Sequence, residues 1–267
     1  MAPVIFILPA WQATLLCLLF ALFFVGSLYI WADSVNKNRD HVDTIKRRFV
    51  SMAVVCLIIP LLLWCFGIPT DNPEAHTLLD WMGIRFRGFL PSLILSLALT
   101  MVLFMGPLTL HYMDGVFSLY LDGRYWSNSL KSLIWIRNHI VAPFSEEFIF
   151  RACMLPILVP AFGTGWAVFV CPLFFGVAHV HHMIEMVTQG QQEVKAAFKQ
   201  SCHLMAPVIA HAFCNHMGFP AFGEIWGYPK QQQHKLIASF VLGAILWIAM
   251  LYPVTSPFLY GNEIYDL

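Results

Sequence analysis

Charge is scarce in this chain. Asp, Glu, Lys and Arg together make up 11% of its 267 residues, and fifteen basic side chains offset fifteen acidic ones. A soluble domain carries roughly 25% charged residues, so a water-facing surface of ordinary polarity is excluded. The balanced charge and a pI near 7.2 leave no electrostatic footprint for nucleic acid. Ser/Gly linkers, internal repeats and low-complexity tracts are also missing, which argues against separate soluble domains or a solenoid. The chain does contain cysteine, but in the wrong places for a disulfide framework. Cys17, Cys56, Cys65, Cys153, Cys171, Cys202 and Cys214 lie mostly inside apolar runs, where they read as small buried hydrophobes. The 11 His and 12 Met are scattered rather than gathered into a metal-binding tract.

Hydrophobic length is what the chain has in quantity. It is 59% hydrophobic with 23 Phe, and its mean hydropathy is +0.69. A membrane helix needs roughly 20 mainly apolar residues, and about seven such runs are present. They lie near residues 12–31, 50–68, 90–112, 139–160, 165–180, 204–222 and 237–256, and Trp126 to Ile136 adds an interfacial or eighth helix. The expected fold is therefore all-α, a polytopic integral membrane protein of about 7–8 transmembrane helices forming one domain over 1–267. No basic residue precedes the first run, which is longer than a signal-peptide core and reads as a retained anchor. Lys37, Arg39, Lys46, Arg47 and Arg48 crowd the first loop, which places that loop in the cytosol. Alternation then puts Arg85 and Arg87 on the far side, and returns Arg124, Lys131 and Arg137, then Lys195 and Lys199, to the cytosolic side.

Against this background Glu146-Glu147-Phe-Ile-Phe-Arg151 stands out. Ionisable groups at membrane depth cost several kcal/mol unless paired or hydrated, so three within six residues indicate a functional polar site. Residues four apart share a helical face, so Glu147 pairs with Arg151, while Glu146 points about 100° away and is available for other work. Phe175 and His179 share a face in the same manner, as do His211 and Asn215. The expected topology brings all of these to one layer, roughly 5–15 Å below the cytosolic surface at about 1.5 Å per residue. His181 and His182 read as interfacial.

Together these side chains form a hydrolytic inventory: a carboxylate to take a proton from water, a His to orient that water, and a His/Asn pair to stabilise an oxyanion. Alternatives remain on the residues alone. Cys153 and Cys214 lie near the site, but thiols in apolar surroundings are usually inert. Glu146, His179 and His211 would serve as zinc ligands around an activated water, although the HExxH spacing is absent. A buried ion-pair network or a noncatalytic scaffold needs no chemistry. A proton-coupled transporter would also place Glu, His and Arg within helices, yet no inverted repeat is evident.

Glu146-Glu147-xxx-Arg151, Phe175-xxx-His179 and His211-xxx-Asn215, in that order on separate apolar helices, resemble the three motifs of the Ras-converting, or type II, CAAX prenyl endopeptidases. The string from Cys171 to His182 is similar to the eukaryotic members, and the resemblance covers roughly 85–225. It implies an endoplasmic reticulum protease that releases the last three residues of prenylated CaaX proteins such as Ras-type GTPases. Its active site would lie within the membrane near the cytosolic face. Carried over by position, Glu146 and His179 activate water, His211 and Asn215 form the oxyanion hole, and Glu147, Arg151 and Phe175 support them. The resemblance further implies no metal or other cofactor, membrane lipid around the protein, and no nucleic-acid partner.

Overall fold

The structure is a computed structural model describing residues 2–31, 39–72, 74–186 and 203–260; the side chains of 168, 177–186, 257 and 258 lie outside the description. Every apolar run named above becomes helical. The first two form α1 (Ala10–Ser27) and α2 (Val42–Phe66), and a short helix α3 (Leu78–Trp81) follows, closed by a capping box between Thr77 and Asp80. The run near 90–112 is split at Phe104 into α4 (Phe89–Leu103) and α5 (Met105–Met113), bent by 72°. Short α6 (Phe117–Tyr120), α7 (Gly123–Lys131) and α8 (Leu133–Ile136) fill the connection where an interfacial helix was expected. The only strands among the described residues, β1 (Val4–Ile5) and β2 (Ile68–Pro69), form a small antiparallel clip beside the start of α1.

Two prolines shape the next stretch. Pro143 has no N–H for the carbonyl one turn back, and the preceding turn, Arg137–Val141, widens into a π-helix closed by Ala142 N to Arg137 O. α9 (Ala142–Glu147) follows, then a second π segment, Phe148–Cys153, just before Pro156. Beyond it α10 (Leu155–Met186) departs at 63° and is broken again at Gly163, whose φ of 74° suits a residue without a Cβ. α11 (Met205–Met217), a 3₁₀ turn (Phe222–Gly227), α12 (Lys230–Val254) and α13 (Pro257–Tyr260) complete the described chain.

Three of these helices are long and apolar enough to cross a membrane, or five if each bent pair counts as one span. α11, at 13 residues, reaches only about 20 Å and cannot cross alone. Leu57, Trp166, Phe169 and Tyr252 point outward at 70–82% exposure, while Glu147 is only 2% exposed. Such an apolar exterior around a charged interior fits lipid rather than water as the solvent.

The segment from Phe148 to Val159 is buried along its whole length, packed by α1, α2 and α10 on one side. On the other, α4 packs against both α11 and α12, and α5 packs against α12. The α12 crossing depends on small residues. A Cβ on Gly243 would sit 2.7 Å from the Val102 carbonyl oxygen and 3.1 Å from Met105 Cβ. Gly243→Val is therefore expected to cost about 1–3 kcal/mol by overpacking, seen as a lower apparent Tm in detergent. An unchanged Tm would show that the two helices do not need this close approach.

One element runs against the charge-based alternation. At the start of α11, His203 Nε2 lies 2.8 Å from the Arg85 carbonyl and Leu204 N donates to the Gly83 carbonyl. At its end Asn215 meets Asn138. The helix thus begins beside the loop expected on the far side and ends toward the face carrying Arg39, Asp40 and Arg137. His211 and Asn215 fall in its later turns. Charge bias assigns one crossing to each apolar run, and a short helix inside the bundle escapes that count. Lys195 and Lys199, the Gln-rich stretch 189–192 and the tail from Glu263 to Leu267 lie outside the described residues.

Candidate active site

Glu147 is the hub of the polar interior. Its Oε2 lies 2.5 Å from Arg151 Nη1, the i,i+4 pairing expected from spacing, and its Oε1 accepts a 2.8 Å hydrogen bond from His211 Nδ1. Both charged partners are shielded, Glu147 at 2% and Arg151 at 7% exposure. The guanidinium also rests 5.3 Å above the centre of the Phe175 ring, which in turn meets His211 edge-on at 6.2 Å. Phe175 therefore fills the corner between cation and imidazole.

Because a carboxylate can only accept, the bond to Glu147 fixes the proton on His211 Nδ1 and turns Nε2 the other way. That nitrogen faces Glu146 Oε2 at 3.7 Å. The gap is too long for a direct hydrogen bond, yet one water or substrate oxygen can reach both atoms. One glutamate thus bonds one nitrogen of the ring and its neighbour faces the other, although their side chains leave the helix about 100° apart. The buried one holds the ring, and the half-buried one faces its other nitrogen.

Asn215, one turn beyond His211, donates its Nδ2 to the Asn138 carbonyl at 2.8 Å and is exposed. An amide nitrogen has two N–H groups, so a second donor remains. Asn138 was missed from the sequence because its contribution is a backbone carbonyl, which carries no side-chain signature. The carbonyl falls in the π turn before Pro143. His179 falls one turn beyond Phe175 in α10, but its side chain, with those of His181 and His182, lies outside the described residues. The structure thus brings Glu146, Glu147, Arg151, Phe175 and His211 together, with Asn215 at the edge.

Of the two cysteines weighed from sequence, Cys153 is fully buried and presents no sulfur to this space, whereas Cys214, between His211 and Asn215 in α11, is half-buried. Among the described residues no three His, Cys, Asp or Glu side chains converge as a metal site. His179, one of the three zinc ligands considered from sequence, is not among the described side chains. An apolar cavity of about 280 Å³ lies a turn away, lined by Ile84, Phe86, Phe144, Phe148 and Met205 among others.

The fold is that of a multi-pass membrane protein, and its relatives make it a peptidase. The chain is 43% identical to CAAX prenyl protease 2 of Rattus norvegicus over 262 residues, covering 96% of this chain and 83% of the relative. It belongs to the type II CAAX prenyl endopeptidases, and the family description "Type II CAAX prenyl endopeptidase Rce1-like" matches residues 128–217. Identity to CAAX prenyl protease 2 of Homo sapiens is 41% over 283 residues, with 96% of this chain and 84% of that protein covered. The protein of the same name from Arabidopsis thaliana is 28% identical over 292 residues, with 94% and 91% covered. No solved structure matches.

Proposed function

We propose that this protein removes the C-terminal tripeptide from prenylated CaaX proteins, Ras-type GTPases among them, at the endoplasmic reticulum membrane with its active site toward the cytosol. The observation that carries the reading is His211 held between Glu147 at 2.8 Å and Glu146 at 3.7 Å. Glu146 takes the proton from the attacking water, and His179 positions that water with it. His211 and Asn215 then donate to the oxygen of the tetrahedral intermediate. With Nδ1 committed to Glu147, His211 donates from Nε2 as the imidazolium, which has a carboxylate on either side. Glu146 later passes its proton to the leaving amine, so that water is consumed and two peptides are released.

In this reading the glutamate, rather than a metal, activates water. The lipid of the substrate enters sideways between helices, which spares the prenyl chain a passage through water. The test is to incubate purified protein with a farnesylated CaaX peptide, with and without a strong chelator, and to follow the released tripeptide by mass spectrometry. Cleavage after the prenylated Cys that survives the chelator is the expected result. Loss of cleavage that zinc restores would favour a metal-dependent protease. Absence of cleavage in either condition would remove the protease reading.

A further inference from the structure

A second cluster sits directly beyond the oxyanion residues and takes no part in the chemistry above. His216 follows Asn215, and its ring stacks on Trp126 at 6.2 Å and meets His139 at 5.5 Å. His139 follows Asn138, stacks on Trp135 at 4.5 Å, and has Nδ1 2.9 Å from the Trp135 carbonyl. Since that carbonyl only accepts, His139 is pinned by Nδ1–H and its Nε2 is turned outward. Tyr120 closes the group, 5.3 Å from His216 and hydrogen-bonded to His111 Nδ1 at 3.0 Å. Two imidazoles braced by indole rings, each adjacent in sequence to a residue of the Asn215–Asn138 pair, are more than core filling.

An enzyme that always removes three residues must measure from something. The prenylated Cys marks one side of the scissile bond, and the free carboxylate marks the other. Three extended residues reach about 10 Å. His216 lies five residues beyond His211, about 7.5 Å of helix rise and about 140° further around α11. Several charged groups there are already engaged. Arg137 is bound to Asp40 and to Asn138 Oδ1, Asp122 to Arg124, and Asp114 to the Tyr228 hydroxyl. His216 offers an N–H even when neutral, and the Nε2 of His139 is turned outward.

We propose that His216 and His139 receive the terminal carboxylate of the CaaX substrate and so set the length of the released peptide. The proposal rests on the protease reading above, and its test separates the two. A prenylated CaaX peptide with a free acid terminus is compared with the same peptide as its C-terminal amide. Wild-type protein is expected to cleave both, with KM for the amide about tenfold higher, as loss of a charge-assisted hydrogen bond implies. His216→Phe, which keeps a ring against Trp126, and His139→Phe should raise KM for the acid by about tenfold. They should leave kcat within about twofold and KM for the amide unchanged, so the amide reports that the variants are folded. Equal wild-type KM values for acid and amide would overturn the proposal, as would variants that raise both alike. Failure of wild-type protein to cleave either peptide would overturn the protease reading itself.

Discussion

Glu146→Ala is expected to lower cleavage of a prenylated CaaX peptide by about 10²–10⁴-fold, the usual contribution of a positioned general base. The variant should remain folded. Glu146 is half-buried rather than sealed in, and its partner His211 keeps the 2.8 Å bond to Glu147 when Glu146 is truncated. Glu146→Gln should behave alike, because an amide preserves shape but takes no proton from water. The measurement is kcat at saturating substrate beside the apparent Tm of the same preparation. Near wild-type kcat in either variant would remove Glu146 from the mechanism. A collapse of Tm with Glu146→Gln would instead make this glutamate structural.

Glu147→Ala is expected to fail twice, once in stability and once in activity. Removing this carboxylate leaves Arg151 charged at 7% exposure with its i,i+4 partner gone. Breaking one side of a buried pair costs about 3–5 kcal/mol, because the remaining charge stays desolvated. The same change frees His211 Nδ1, so its tautomer and orientation are no longer held. A double variant, Glu147→Leu with Arg151→Met, separates the two effects. Replacing a buried ion pair with apolar residues of similar volume is often neutral or stabilising, so Tm should recover toward wild type. Activity should not recover, because nothing then orients His211. A double variant that regains both would show that Glu147 serves only to neutralise Arg151.

The different fates of these neighbouring carboxylates show how far the residue pattern carried. The Glu147 to Arg151 pairing follows from 3.6 residues per turn and is met in the structure. That His211 would bond Glu147 as well as face Glu146 does not follow from helical spacing, since the ring arrives from α11, 64 residues further on. The direction of α11 was equally hidden. Charge bias reads loops, but the start of this helix is set by backbone hydrogen bonds to Gly83 and Arg85. The imidazole and indole cluster had a faint signal in Trp135-xxx-His139, an i,i+4 pair that stacks at 4.5 Å. Nothing in its own segment indicated that His216 would join it.

By itself, the sequence determined the solvent, the secondary structure and the inventory. Apolar runs of membrane length can satisfy their backbone groups in lipid only as helices or closed barrels, and their 20-residue length selects helices. The cost of charge at that depth singles out the few residues that form the polar interior. Tertiary structure alone decided which carboxylate bonds His211 and which faces its other nitrogen, where Asn215 is tethered, and what surrounds His216. Those contacts join residues far apart in the chain, and their geometry depends on helix direction, on the π turns before Pro143 and Pro156, and on the bends at Phe104 and Gly163. Helical periodicity acts within one element, whereas a site built across four elements is fixed by how they pack.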